Sequence, residues 1–209
     1  MPTRDIYNFP LRDQSIRQKS TVAGFPVISR RTEPGQENPR IWHQHDCLEI
    51  AVVLSGTAVH ILSDQSAPIR EGDVLLIGPN LVHGYEECST LGLYNVLYNS
   101  TKLPVPIMDG EDIPAFKRFL PAKFENPQSG YSPSPIAHFP DRAALDQAVW
   151  QIDRIHQELT TASLGNMFAG FARLLDFLVT ILRLVESTEP PTVPPRQWIF
   201  PLEEILAFL

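Results

Sequence analysis

The chain has 209 residues, and its 17 Lys and Arg against 24 Asp and Glu leave a formal net charge of -7. At 43% hydrophobic residues it can bury one generous core, while no run of basic residues forms a patch able to neutralise phosphates, so these residues are not expected to bind nucleic acid. Two cysteines without CxxC spacing exclude a disulfide scaffold. The polar start MPTRDIYNFPLRDQ and the absence of a long apolar run exclude a signal peptide and a membrane span, so a cytoplasmic protein with reduced thiols is expected.

After an N-terminal arm over 1–24, residues 25–100 read as short alternating or β-branched runs: PVISR, IWHQHDCLEIAVVL, TAVHILS, API, DVLLIG, LVHGYEE and LGLYNVLY. Their separators are turn chemistry, with SerGly at 55–56, ArgGluGlyAsp at 70–73 and GlyProAsn at 78–80. Short hairpins of this kind predict a β-sandwich or barrel.

Within the second run, His43, His45 and Glu49 fall at even spacing and would project from one face of a regular strand, with Cys47 sharing their parity. His83 comes from a later strand. Imidazole and carboxylate donors suit zinc, nickel, iron or manganese, and the alternative is that the four side chains contact an effector or each other. Tyr85 shares the parity of His83 and offers a ring and a hydroxyl for an effector; Trp42 has the opposite parity to the histidines. Cys47 is expected to pack as a small strand residue, and His60, His138 and His156 to be ordinary surface or interface residues.

Residues 101–140 are a Pro-rich connection with one short helix predicted over 112–120. Over 141–186 the period becomes helical. Leu145, Ala148, Val149, Ile152, Ile155 and Leu159 share one face of a helix capped by Asp141. In a second helix from 163 to 186, Leu164, Phe168, Phe171, Leu175, Leu178, Leu182 and Val185 follow a four-three spacing that predicts a coiled-coil-like dimer seam. Further apolar rows, Met167–Leu174–Ile181 and Phe177–Leu184, widen the surface beyond one stripe. Two partners are therefore expected, the body of the chain and the same helix of a second subunit, with burial inside one monomer as the alternative. Residues 187–198, STEPPTVPPRQW, read as a linker, and 199–209 as the start of a further, truncated domain with a helical stripe at Leu202, Ile205, Leu206 and Leu209.

Together, His43, His45, Glu49, Gly56, Gly72, Pro79 and His83 resemble the two cupin motifs, with departures at Gly78, Asn80 and Glu87. The resemblance implies a mainly β fold, a jelly-roll barrel whose mouth gathers three histidines and a glutamate around a divalent metal. Among cupins, HQHDCLEIAVVLSGTAVHIL, REGDVLLIGPNLVHGY and LGLYNVLYNS are similar to the sensing domains of AraC-type regulators, the rhamnose-operon activators in particular. That likeness implies a two-helix antiparallel dimerisation unit after the barrel, a homodimer, and a small polar effector, such as a sugar, bound by His43, His45, Glu49, His83 and Tyr85. It assigns DNA binding to a C-terminal domain outside these residues and no catalysis to the chain. The alternative is a metal-dependent cupin enzyme, a dioxygenase, isomerase or epimerase.

Overall fold

The computed structural model describes residues 6–11, 25–37, 41–105, 116 and 131–188. The short helix expected over 112–120, apart from Phe116, and the linker and helical stripe expected beyond residue 188 lie outside them.

Ten strands form two five-stranded sheets. Sheet A has the order β1 (Ile6–Asn8), β3 (Trp42–Gln44), β8 (His83–Glu86), β5 (Thr57–Leu62), β6 (Gln65–Arg70); sheet B has β10 (Ala137–His138), β7 (Asp73–Ile77), β4 (Leu48–Ser55), β9 (Gly92–Tyr98), β2 (Val27–Thr32). All pairs are antiparallel except β1 with β3. The fold is thus mainly β, followed by two helices, α1 (Arg142–Thr160) and α2 (Asn166–Thr188).

β4 explains the layering. Its sequence LEIAVVLS is apolar at nearly every position because both faces are covered. Ile50 and Val52 point outward into a large cluster with the helices. Ala51 and Val53 point inward against Ala58, Leu75, Leu91 and Leu93. Strands β1 and β10 were not read from the sequence: each is two or three residues long and is held by pairing with an existing sheet edge, so its own composition carries no signal.

Two of the departures from the cupin motifs lie at left-handed turn positions. Asn80 and Glu87 both have left-handed backbone, with φ of 60° and 53°, positions that glycine and asparagine occupy most easily. Gly56 (φ 75°) sits so close to the Thr90 carbonyl that a Cβ would lie 2.1 Å from its oxygen.

Asp141 caps α1, its Oδ1 accepting from the Ala144 N–H at 2.9 Å. The helices run antiparallel: Gln151 reaches Asp176 and Thr180, while Leu159 lies beside Gly170. Their shared apolar face covers the outside of sheet B through Leu145, Ile152, Ile155, Phe177 and Ile181, each at most 2% exposed. The seam drawn along α2 divides in two. Leu178, Leu182 and Val185 are buried inside this chain, Phe171 and Leu175 are half-buried, and only Leu164 and Phe168 stand fully open to solvent, beside Met167. The division arises because α2 meets sheet B and α1 mainly along its C-terminal half, where the apolar rows through Phe177 and Ile181 turn Leu178 and Leu182 into core.

Candidate metal and effector site

Three segments supply the site. β3 carries His43 and leads directly to His45; the chain then bends at Asp46 and Cys47 and crosses into sheet B, where β4 carries Glu49. β8 places His83 directly opposite His43. Simple strand parity therefore does not account for the cluster, since the run read as one strand breaks at residues 45–47. His43 and Glu49 face each other because their strands belong to opposing sheets. Cys47 falls on the bend and packs with Leu11, Ile28 and Leu97 instead of joining the histidines.

The donor atoms of His43, His45, Glu49 and His83 all lie within 4.8 Å of one another. That spread is close to the roughly 4 Å separating opposed ligands around a first-row metal with bonds of about 2.0–2.2 Å. Glu49 Oε2 lies 2.9 Å from His45 Nε2 and 3.3 Å from His83 Nε2, yet Oε2 and His83 Nε2 lack a hydrogen bond of acceptable geometry, and so does His43 Nδ1. The opposite ring atoms set the roles of these nitrogens. His45 Nδ1 donates to the Phe9 carbonyl at 2.9 Å and His83 Nδ1 to the Leu81 carbonyl at 3.1 Å. A backbone carbonyl only accepts, so Nδ1 carries a proton in both rings; His45 Nε2 can hold a second proton against Glu49, and only the neutral ring, the form a metal binds, turns an Nε2 lone pair inward. Lone pairs converging on a buried carboxylate fit a cation, and the residues present suit a divalent transition metal.

Electrostatics follow the same geometry. Burial, aided by the neighbouring His83, pushes His43 down to about 3. Burial alone would raise Glu49, but the charge of His45 and contacts with His45 and His83 hold it well below the usual carboxylate range. For His45, burial opposes protonation and is outweighed by the Glu49 carboxylate and the Phe9 carbonyl, so its pKa is raised. Tyr85 is pushed well above the usual phenol range by burial and by Glu49.

Beside the cluster is a cavity of about 240 Å³ whose lining includes His43, His45, Tyr85, Arg30, Glu37 and Asn95. This is just under the usual small-molecule range of roughly 300–1,000 Å³ and suits a compact ligand. The Asn95 Oδ1 and Tyr85 hydroxyl are buried without partners. Glu37 is raised by burial, with the Arg30 charge opposing. Phe9 closes one side, its ring 5.4 Å from that of His43.

Of the residues singled out from sequence, His43, His45, Glu49, His83 and Tyr85 meet at this site. His60 is a correction. Expected at a surface or interface, it is completely buried on β5, next to Tyr85. Its signal was present in TAVHIL, where it shares parity with the inward Ala58 and Leu62. Asn95, a lone polar residue in LYNVLY, carried a similar one; Phe9 carried none, because its role comes from the pairing of β1. His138 is partly exposed and bound to Asp73 at 2.7 Å, and His156 is half-buried with Nδ1 3.1 Å from the Ser29 hydroxyl. No helix among the described residues is long and apolar enough to cross a membrane.

Residues 30–92 match the Cupin domain family. A transcriptional activator named RhaR from Mannheimia succiniciproducens is 40% identical over 105 residues, 50% of this chain and 36% of that protein. One named RhaS from Citrobacter koseri is 31% identical over 140 residues, 65% of this chain and 46% of that protein. The matched segments thus span less than half the length of these relatives. Among solved structures, a cupin protein from Bacteroides fragilis aligns with a TM-score of 0.32 at 22% identity, covering 39% of this chain and 71% of that one.

Proposed function

From a chain whose residues 30–92 are a cupin domain and which is related over about half its length to the RhaR activator, we propose that it is the effector-sensing and dimerisation region of an AraC-type transcription regulator. The observation that carries this reading is the cavity of about 240 Å³ next to the buried donors of His43, His45, Glu49 and His83. A small polar effector, a sugar among the candidates, sits there against Tyr85 and the histidines. The four donors hold a divalent transition metal, which would supply a Lewis-acidic point for an effector oxygen.

Occupancy is relayed by two elements. Phe9, whose carbonyl orients His45, ties the N-terminal arm to the site. β2 and β9 lie between the cavity and the helices: Arg30 and Asn95 line it, while Ser29 and Tyr94, one position away on each strand, bind His156 and Asp153 of α1. A ligand that displaces these strands biases the helix pair and, through dimers joined at the exposed Phe168 of α2 and Leu164 in the turn before it, where the helix expected from residue 163 has not yet begun, the presentation of DNA-binding domains in a longer cytoplasmic parent.

A second reading, a metal-dependent cupin enzyme, is favoured by one observation: two of the four donor residues, His43 and His45, line a cavity, and catalysis at a metal requires such an open side. Elemental analysis of the purified protein and of a His43→Ala, His83→Ala double variant tests both. Stoichiometric metal in the parent and its loss in the variant are expected. Metal-free protein that still binds a neutral sugar by calorimetry would remove the metal from the sensor, and conversion of a bound substrate by the metal-loaded protein would replace the sensor with the enzyme.

A further inference from the structure

One strand away from the four donors lies a second pair of buried polar groups with no role in the reading above. His60 on β5 stands directly opposite Tyr85 on β8, and the two residues are 0% and 3% exposed. His60 Nδ1 donates to the Pro133 carbonyl at 2.8 Å, which fixes the ring and leaves Nε2 as an acceptor. Nε2 and the Tyr85 hydroxyl are both buried without a partner. Their rings are 5.3 Å apart and tilted by 31°, so the pair does not satisfy itself.

What fits between them is narrow. Nε2 requires a donor, and the Tyr85 hydroxyl is complete only with an acceptor for its proton. A hydroxyl, of an alcohol or of water, answers both needs with a single oxygen. An ammonium can donate but not accept. A carboxylate or phosphate can only accept, and it would enter the field of Glu49, which acts on both His60 and Tyr85. Tyr85 also lines the cavity of about 240 Å³, so the buried pair borders the space where a ligand sits.

We propose that His60 and Tyr85 form an inner hydroxyl-binding position, which takes an alcohol group of the cavity's ligand and makes a free hydroxyl a requirement for recognition. The position is independent of the metal; only its occupant rests on the cavity being a ligand site.

A double-mutant cycle in thermal unfolding of the full chain tests it, with Tyr85→Phe, His60→Leu and the pair. Tyr85→Phe removes a single oxygen and keeps the ring, so it is the decisive variant. Without a ligand the Tyr85 hydroxyl is buried and unpartnered, so Tyr85→Phe holds or raises the midpoint. With a neutral hexose bound, a hydroxyl bridging the two groups makes each single substitution lower the midpoint by roughly 3–8 °C, and the double variant falls little further. Effects that simply add in both arms overturn the position, and equal coupling with and without hexose assigns the hydroxyl to a resident water and overturns it too. As a second readout, the His60 Nε2 nitrogen resonance of the hexose-bound protein shifts in Tyr85→Phe if the bridge exists; an unchanged resonance overturns it even where His60→Leu unfolds. A hexose that raises the midpoint of the parent without coupling the pair removes the position and leaves the sensor reading, whereas one that leaves the parent's midpoint unchanged counts against a sugar effector.

Discussion

The two faces of sheet B treat polar groups in opposite ways. On the outer face, toward the helices, they are paired across the interface: Tyr94 OH donates to Asp153 at 2.9 Å, the Ser29 hydroxyl meets His156, and the Gln151 amide donates to Asp176 and Thr180, with Gln151 Oε1 as the exception. On the inner face and on the facing sheet A, the atoms of His43, Glu49, His60, His83, Tyr85 and Asn95 described above are buried without partners. A buried polar group without a partner costs about 1–3 kcal/mol. A fold that satisfies one face and leaves the other open has given up stability where a ligand completes it, and kept it where packing holds the chain together.

The largest effect should come from the satisfied side. Phe177→Ala removes a fully buried ring from the contact of α2 with α1 and sheet B, and should cost about 3–5 kcal/mol in urea unfolding; a loss below about 1 kcal/mol would show that the helices are not part of the cooperative core. The burial of Leu178 likewise means that Leu178→Glu unfolds the helix pair, and so reports nothing about a dimer.

A sharper test uses neighbours on β9. Tyr94→Phe deletes the bond to Asp153 and should destabilise by about 1 kcal/mol. Asn95→Val removes an unpartnered buried oxygen from a strand position and should stabilise the ligand-free protein by about 1 kcal/mol. The same sign for both would break the contrast between the faces. The smallest effect is expected at the open end of α2. Leu164→Glu, in the turn before the helix, with Phe168→Glu should leave the unfolding free energy of the protomer within about 0.5 kcal/mol while dispersing the proposed dimer in sedimentation; an unchanged oligomer would count against this contact.

Much of the candidate site was legible in the sequence because metal-type donors are chemically distinctive. Three histidines and a glutamate among apolar strands stand out whatever their exact placement. His60 was misread because one histidine in an alternating strand has the same pattern whether its face is open or enclosed. The seam on α2 was over-extended for a related reason: a heptad pattern records that a helix has an apolar face, and not whether the partner is the chain's own sheet or another copy.

Apart from β1, β10 and the break between β3 and β4, the sequence by itself determined the run of strands and then helices, the turns at Gly56 and Asn80, the cap at Asp141 and the identity of the four donors, because each follows from local backbone preference or side-chain chemistry. Only the tertiary structure decided that the donors converge across two sheets, that β1 brings the Phe9 carbonyl to His45, and that Leu178 and Leu182 belong to the core. Those outcomes depend on which segments far apart in the chain pair and pack, and long-range pairing leaves no imprint on the composition of either partner alone.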